Sequence, residues 1–224
     1  MNVVRDEAFE QELIYNIYQR ELHNRVGVHS SDLIYCLNKQ ALRKLHPLSP
    51  VTSEILLFSI GWATQRWLTN KDEDEPEIIV DGITVTPDAT YLNVPWELKA
   101  TYQSSEKPIT ENVSWFRQIM AQCYVTKTLT AHLSRFEIMG NWKSIFGKKE
   151  EKALESSRKP TLHAYSLSFT EEELQQNWDW LKERKDVYEK ILSSGTLVSK
   201  PIALAQGMNF ECNYCSYKED YCNV

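Results

Sequence analysis

The chain has 224 residues, of which 25 are Lys or Arg and 31 are Asp or Glu, so its formal net charge is 25 − 31 = −6. This acidic balance argues against a generally basic protein that coats nucleic acid, although a local basic groove is compatible with it. No run of about 18 apolar residues occurs, so we expect no transmembrane helix. A chain of this length buries a full core as one domain, without disulfides.

Hydrophobic periodicity and capping signals predict a helical N-terminal part followed by alternating strands and helices. The predicted helices cover residues 6–23, 31–45 (capped by Ser30 or Ser31), 53–69, 111–128 and 170–193, the last beginning at a capping box of Thr170 and Glu173. The predicted strands cover residues 77–80, 83–92, 94–101, 131–142 and 161–169. This order predicts an α/β fold in which a mixed sheet is flanked by helices.

Two charged segments interrupt the predicted elements. Residues 71–77 are acidic, whereas residues 143–160 hold six Lys or Arg against three Glu, a local excess of 6 − 3 = +3. The basic segment is a candidate DNA contact, and the alternative is a solvated loop.

The five cysteines are unevenly placed. Cys36 and Cys123 stand alone, whereas Cys212, Cys215 and Cys222 lie close together at the end of the sequence. Because the N-terminal residues lack a signal-peptide pattern, we expect a cytoplasmic, reducing compartment, where cysteines more often bind metal than form disulfides. The C-x2-C pair with a third nearby cysteine favours a metal site completed by Cys36 or Cys123. Iron–sulfur ligation is our preferred interpretation, with structural zinc and inert thiols as alternatives.

Acidic and basic side chains also occur within the predicted strands. Asp88 lies in one strand, and Glu97 and Lys99 lie two apart in the next, so Glu97 and Lys99 project from one face. Two carboxylates are hard ligands for Mg²⁺ or Mn²⁺, which polarises a phosphodiester and lowers the pKa of an attacking water, while a lysine stabilises developing charge. The alternative is a solvated strand face.

The helix predicted after these strands carries two glutamines. Gln118 and Gln122 are four residues apart and share one face, whereas Arg117 and Cys123 lie on other faces. The two amides are suited to bind a phosphate, a base or a water molecule in a cleft, and the alternative is two solvated glutamines. In the last long helix, we predict that an apolar stripe packs in the core, namely Leu174, Trp178, Leu181, Tyr188 and Leu192.

Taken in order along the chain, these features resemble the RecB-type PD-(D/E)XK nucleases. The likeness is greatest to the iron–sulfur CRISPR-associated exonucleases (the fourth Cas family) and their phage and archaeal relatives. The segments that carry it are 28–36, 61–65, 81–88, 96–99, the helix of Gln118 and the cysteines from 212 to 222. The resemblance implies a restriction-endonuclease-like fold in one domain over 1–224, with a helical part (1–70), a nuclease core (77–193) and a cluster-binding tail (194–224).

The resemblance also implies roles for individual residues. Asp88 and Glu97 match the acids that hold Mg²⁺ or Mn²⁺, Lys99 matches the catalytic lysine, and Gln118 matches the glutamine of a Gln-x3-Tyr motif. Four residues match the ligands of a 4Fe–4S cluster that joins the two ends of the chain, namely Cys36, Cys212, Cys215 and Cys222. The implied activity is a metal-dependent DNA exonuclease that prefers single strands or DNA ends, with CRISPR integrase proteins as possible partners and no membrane association.

The sequence departs from this family at two positions. Gln65 stands where the family often has a metal-binding His, four residues after the glycine at 61. Gln122 stands where the motif has Tyr, and Tyr124 follows two residues later on a different face. These departures motivate a second hypothesis, a DNA-binding or complex-forming subunit with weak or lost nuclease activity. A third hypothesis is a zinc-stabilised protein without DNA chemistry.

Overall fold

A computed structural model describes residues 4–21, 25–71, 75–103, 107–140 and 159–222. Its helices are α1 (Glu7–Glu21), α2 (Ser30–Ile34), α3 (Leu37–Leu45), α4 (Thr52–Thr69), α5 (Val113–Thr126), α6 (Glu171–Ser194), α7 (Lys200–Ala203) and α8 (Lys218–Tyr221). Its strands are β1 (Ile78–Val80), β2 (Ile83–Val85), β3 (Ala89–Tyr91), β4 (Val94–Thr101), β5 (Thr130–Glu137) and β6 (Thr161–Ser168). No described helix is both long and apolar enough to cross a membrane.

The described elements form two compact units. In the first unit, α1 and α4 pack against each other. The second unit contains α2, α3 and everything from β1 onward, and it holds both sheets. The predicted domain boundaries stay a prediction, and most of the basic segment, residues 143–158, lies outside the described residues.

The larger sheet has four strands in the order β3-β4-β5-β6. The β3–β4 and β5–β6 pairs are antiparallel, whereas β4 and β5 are parallel. The parallel pair needs a crossover, and α5 supplies it and packs against β4 and β5. The predicted mixed sheet with accompanying helices is therefore confirmed.

The prediction of one continuous strand over 83–92 is wrong, because the structure divides this segment into two strands at Thr86–Asp88. Pro87 has no N–H to donate to a ladder, so regular pairing stops there. The first half, β2, pairs with β1 in a separate two-stranded sheet, and the second half, β3, pairs with β4. The strand predicted over 131–142 also ends early, at Glu137, because Gly140 adopts φ 52° and turns the chain.

The helix predicted over 31–45 is two helices, with a break at Tyr35 and Cys36. Both residues have extended backbone, and the Cys36 N–H donates to the carboxylate of Glu211 at 3.3 Å. A side chain from the end of the chain therefore takes a donor that a continuous helix would use. The predicted cap is also different, since His29 precedes α2 and its N–H donates to Asp32 at 3.0 Å.

The core of the second unit forms around α6. The predicted capping box at Thr170 and Glu173 is confirmed by reciprocal hydrogen bonds. The predicted apolar stripe is also confirmed, because its members are buried or, for Leu192, packed against the core. The Trp178 indole donates to Asp81 at 2.8 Å, in the positive-φ Asp81–Gly82 turn between β1 and β2. Helix α6 thus fixes the small hairpin as well as the core.

Arg184 joins three distant parts of the chain. It lies on α6 and is 7% exposed. Its guanidinium donates to the carbonyls of Leu33 and of Tyr35 (2.8 Å) at the end of α2. It also donates to Ile202 (3.3 Å) and Ala203 (2.9 Å) at the end of α7. One side chain therefore satisfies the last carbonyls of two short helices, which have no partner within their own helix.

We predict that Arg184→Ala lowers the free energy of unfolding by about 3–5 kcal/mol, because it leaves several buried carbonyls without a donor. Chemical denaturation followed by circular dichroism measures this change. The exposed neighbour provides a matched control, since Glu183→Ala should change stability by less than about 0.5 kcal/mol. Equal stability of the two variants would contradict the role given to Arg184.

Candidate functional site

The β3–β4 hairpin sets two carboxylates against each other. The two strands are joined by Leu92 and Asn93, both with positive φ (52° and 62°), and their register pairs Ala89 with Trp96. Continuing that register by one residue places Asp88 opposite Glu97. The Leu98 N–H donates to Asp88 Oδ2 at 2.7 Å, which holds the aspartate against β4. The carboxyl groups of Asp88 and Glu97 lie within hydrogen-bonding reach of each other.

Glu97 is the most deeply placed residue of this site. Its side chain is 0% exposed, and its Oε1 forms an ion pair with Lys99 Nζ, whose side chain is 19% exposed. Its other oxygen, Oε2, accepts a hydrogen bond from Gln122 Nε2 at 2.5 Å. A solvated strand face, the alternative for this charge pattern, is excluded by this burial.

Helix α5 covers the same face of β4 and contributes both predicted glutamines. Gln118 Oε1 accepts from Lys99 Nζ at 3.0 Å, one turn before Gln122 contacts Glu97. The alternative of two solvated glutamines is excluded for Gln122, which is fully buried. The structure thus brings together the four residues predicted from the sequence, Asp88, Glu97, Lys99 and Gln118, and adds Gln122.

The electrostatics of the site follow from burial of like charges. Burial raises the pKa of Asp88 to about 8, and the charge of Glu97 adds to this rise, while Lys99 partly offsets it. For Lys99, burial lowers the pKa, but the carboxylates of Glu97 and Asp88 outweigh burial, so the pKa lies above its usual value. In the absence of a metal ion, the raised pKa of Asp88 favours its protonated form, and the raised pKa of Lys99 favours its charged form.

One buried polar atom of the site lacks a partner. Gln122 Oε1 is buried and accepts no hydrogen bond within the described residues. A buried acceptor without a donor is unfavourable, and such atoms in native proteins usually contact a water molecule or an ion. Together with the two adjacent carboxylates, this oxygen fits a site that holds a hydrated divalent cation.

Gln65 is on α4, which belongs to the first compact unit. Within the second unit, three other residues named in the sequence analysis lie outside this cluster. Arg117 points toward α6, where it donates to Asn177 at 2.9 Å and lies over the ring of Trp180. Tyr124 stacks on Trp178 at 4.5 Å, and Cys123 is buried in the apolar core. Tyr124 therefore does not replace the missing tyrosine of the motif.

The four cysteines proposed as cluster ligands line one cavity. Cys36 is buried beside the α2–α3 break, and Cys212, Cys215 and Cys222, which line the same cavity, are half-buried. Burial raises the pKa of the Cys36 thiol to about 11, and it also raises that of Cys222. Three lysines share the wall of this cavity, namely Lys39, Lys200 and Lys218.

The side chains of these four cysteines have the chemistry of metal ligands. Across the described ranges, no three His, Cys, Asp or Glu side chains come close enough together to hold a metal ion as they stand.

Sequence reasoning missed a second polar cluster on the face of the sheet that carries Glu97 and Lys99. Arg135 and Glu137 of β5 are 1% and 0% exposed and contact each other, and Glu137 also contacts Thr161 and His163 of β6. The only signal in the sequence is two charges, Arg135 and Glu137, at alternate positions of one predicted strand. Which β6 residues face them depends on the pairing of β5 with β6, and no local pattern predicts that pairing.

Three solved structures are similar to this chain. The crystal structure of SSO0001 is 12% identical, with a TM-score of 0.56 over 96% of this chain and 95% of that one. A phage related exonuclease from Haemophilus somnus 129PT is 9% identical, with a TM-score of 0.49 over 77% and 98%. An alkaline exonuclease (LHK-Exo) from Laribacter hongkongensis is 9% identical, with a TM-score of 0.45 over 80% and 95%.

The likeness to SSO0001 spans nearly all of both chains and shows a shared fold. TM-scores below 0.5 mark only a distant likeness, so the two exonucleases do not decide what this chain does. No protein-family model and no curated protein sequence matches the chain. Evidence on function therefore comes from the site itself.

We predict that Gln122→Leu weakens the binding of Mn²⁺ by about 10- to 100-fold, because Glu97 loses the hydrogen bond that orients it. Titration of Mn²⁺ followed by electron paramagnetic resonance measures the affinity. Gln176 lies on the exposed side of α6, where it donates to Glu172, so Gln176→Leu is the matched control. Unchanged Mn²⁺ affinity in a folded Gln122→Leu protein would contradict the orienting role.

Proposed function

We propose that this chain is a metal-dependent deoxyribonuclease of the PD-(D/E)XK type, which hydrolyses phosphodiester bonds. The single observation that carries the proposal is the pair of carboxylates, Asp88 and Glu97, held together beside Lys99 in a buried site. Without a cation, such a pair is unfavourable for folding, since like charges repel strongly when they are desolvated. A function that requires a cation at this point explains the arrangement.

Asp88 and Glu97 are the residues that would hold Mg²⁺ or Mn²⁺. Among the described residues no third acid, histidine or cysteine joins them in a group of three. Two acids are sufficient, since Mg²⁺ is usually bound through one or two carboxylates together with water and substrate phosphates. When bound, the cation polarises the scissile phosphate and lowers the pKa of an attacking water.

Lys99 acts as a charge stabiliser in this proposal. Its raised pKa keeps the ammonium protonated at neutral pH, so it does not serve as a base. Gln118 and Glu97 fix the position of Nζ. A fixed positive charge stabilises the negative charge that develops on the phosphate oxygens during hydrolysis. Gln122 donates to Glu97 Oε2 and so orients the carboxylate, whose Oε1 contacts Lys99.

The finer features of the activity rest on the family resemblance. We propose exonucleolytic cleavage with a preference for single-stranded DNA or DNA ends, and CRISPR integrase proteins remain possible partners. We also propose that Cys36, Cys212, Cys215 and Cys222 hold a 4Fe–4S cluster. The cavity that these four residues share supports a common metal centre, and zinc is the alternative occupant.

A second candidate function is a DNA-binding or complex-forming subunit with weak or lost nuclease activity. The observation that favours it is the set of two acids, with Gln122 in the place of the motif tyrosine and Gln65 at the usual histidine position. An amide is a poorer metal ligand than an imidazole or a carboxylate. Such a protein binds DNA but does not cleave it with any divalent cation.

We predict that the wild-type protein degrades end-labelled DNA in the presence of Mn²⁺ and that Lys99→Ala lowers the rate by about 10²- to 10³-fold, because the transition state loses its stabilising charge. Gel analysis of single-stranded and duplex substrates measures the rates. Lys190→Ala, at an exposed position of α6, is the matched control and should keep full activity. Equal rates for wild type and Lys99→Ala would contradict the proposal, and binding without cleavage would favour the second candidate.

We predict that anaerobically purified protein is brown, absorbs broadly near ~400 nm, and contains iron and sulfide. Serine at position 36, 212, 215 or 222 should lower the iron content, because each substitution removes a thiolate ligand. Cys123→Ala is the matched control and should keep the full content, since Cys123 packs in the apolar core. A colourless protein with one zinc ion per chain would contradict the iron–sulfur cluster and indicate a structural zinc site instead.

A further inference from the structure

The polar cluster of β5 and β6 is built around one carboxylate. Glu137 is fully buried, and its Oε1 accepts from Arg135 Nε at 2.5 Å. Its Oε2 accepts from Thr161 Oγ1 at 2.9 Å, and Nδ1 of His163 lies 3.0 Å from Oε1. A second nitrogen of the Arg135 guanidinium, Nη1, donates to the carbonyl of Lys107 at 2.8 Å. Every charged group of this cluster therefore has a specific partner.

Stability alone does not account for this cluster. Arg135 and Glu137 are desolvated, and replacing a buried ion pair by apolar residues of similar volume is often neutral or stabilising. In contrast, the side chain of His163 is 47% exposed. The buried pair thus holds an imidazole at the protein surface in one orientation.

The orientation of the imidazole follows from the chemistry of its partner. An ionised carboxylate only accepts hydrogen bonds, so Nδ1 of His163 carries a hydrogen toward Glu137. The opposite edge of the ring, with Nε2, points away from Glu137. A protonated imidazole donates from Nε2 as well, and a charge-assisted bond to a phosphate oxygen is among the strong hydrogen bonds.

The strand register places His163 in line with the candidate active site. Lys99 of β4 pairs with Arg135 of β5, and Arg135 pairs with His163 of β6. Registered neighbours project from the same face of a sheet, which is also the face of Glu97. Since neighbouring strands lie about 4.8 Å apart, the backbones of Lys99 and His163 are roughly 10 Å apart. His163 therefore lies two strands from Lys99 on the same face of the sheet, with the buried Arg135 between them.

We propose that His163, held by Glu137 and Arg135, is a subsite that binds a backbone phosphate of the DNA strand beside the scissile phosphodiester. The proposal deepens the proposed function and rests on it for the path of the DNA. His163 contacts the substrate, whereas Glu137 and Arg135 act through His163 and are positioning residues. The ligand is a nucleic-acid phosphate, so the contact does not depend on base sequence.

The test measures DNA affinity without cleavage. The Lys99→Ala protein is titrated with a fluorescent single-stranded oligonucleotide, and anisotropy is recorded at several salt concentrations with and without His163→Ala. At about pH 5.5, where an imidazole is largely protonated and Nε2 donates, we expect His163→Ala to weaken binding by about tenfold, the effect of one hydrogen bond to a charged group. The slope of log affinity against log salt should fall by about 0.7, the value for one phosphate of a single strand.

The control variant uses a second histidine of the same sheet. His132 lies on β5 but projects from the opposite face, where it contacts Tyr91, so His132→Ala should leave affinity and salt slope unchanged. His163→Lys, which keeps a positive charge at the surface, should restore most of the affinity. Melting temperatures of all variants show whether the fold is intact.

A cleavage experiment separates this inference from the proposed function. His163→Ala should raise KM for oligonucleotides but leave the hydrolysis of bis(p-nitrophenyl) phosphate unchanged, because that ester has no neighbouring phosphate. If the chain binds DNA through His163 but cleaves nothing, the subsite stands and the proposed chemistry falls. If His163→Ala binds DNA as the parent does, or if the Lys99→Ala protein binds no DNA, the subsite is overturned.

Discussion

The arrangement of the second unit depends on keeping Asp88 and Glu97 next to each other away from water. Two carboxylates in such a place repel, and the ammonium of Lys99 and the raised pKa of Asp88 both reduce this repulsion. The positive-φ turn at Leu92 and Asn93 fixes the hairpin register that creates the pair. Helix α5 then closes over β4, because its two amides are needed to satisfy Lys99 and Glu97. Hairpin, crossover helix and charge pair are therefore one structural unit.

A second constraint connects this unit to the end of the chain. The break between α2 and α3 directs Cys36 into the cysteine cavity, while the preceding residue, Tyr35, lies near Lys99. Arg184 and Glu211 hold this break from α6 and from the tail. Ordering of the tail by a metal at the cysteines would thus act on the segment that adjoins the candidate active site. Segments from the two ends of the second unit, which are far apart in the sequence, contact each other at this break.

Local periodicity in the sequence was sufficient to predict the features that lie within one or two neighbouring helices or strands. Alternation along β4 placed Glu97 and Lys99 on one face, and the four-residue spacing on α5 placed Gln118 and Gln122 together. Features that depend on distant partners could not be predicted in the same way. The break at Tyr35 needs Glu211 from the tail, and the role of His163 needs the pairing of β6 with β5, two strands that lie far apart in the sequence. Neither partner leaves a local pattern, because each contact is set by tertiary packing.

The central claim is that Asp88 and Glu97 together hold a divalent cation. Anomalous X-ray diffraction from crystals grown with Mn²⁺ tests it most directly, because the signal identifies the ion and the residues that contact it. The account predicts an anomalous peak in contact with both carboxylates in the wild-type protein and its loss in Asp88→Asn. Absence of a peak at these residues in a wild-type crystal grown with Mn²⁺, together with an intact Lys99–Glu97 ion pair, would show that the two carboxylates do not hold a divalent cation.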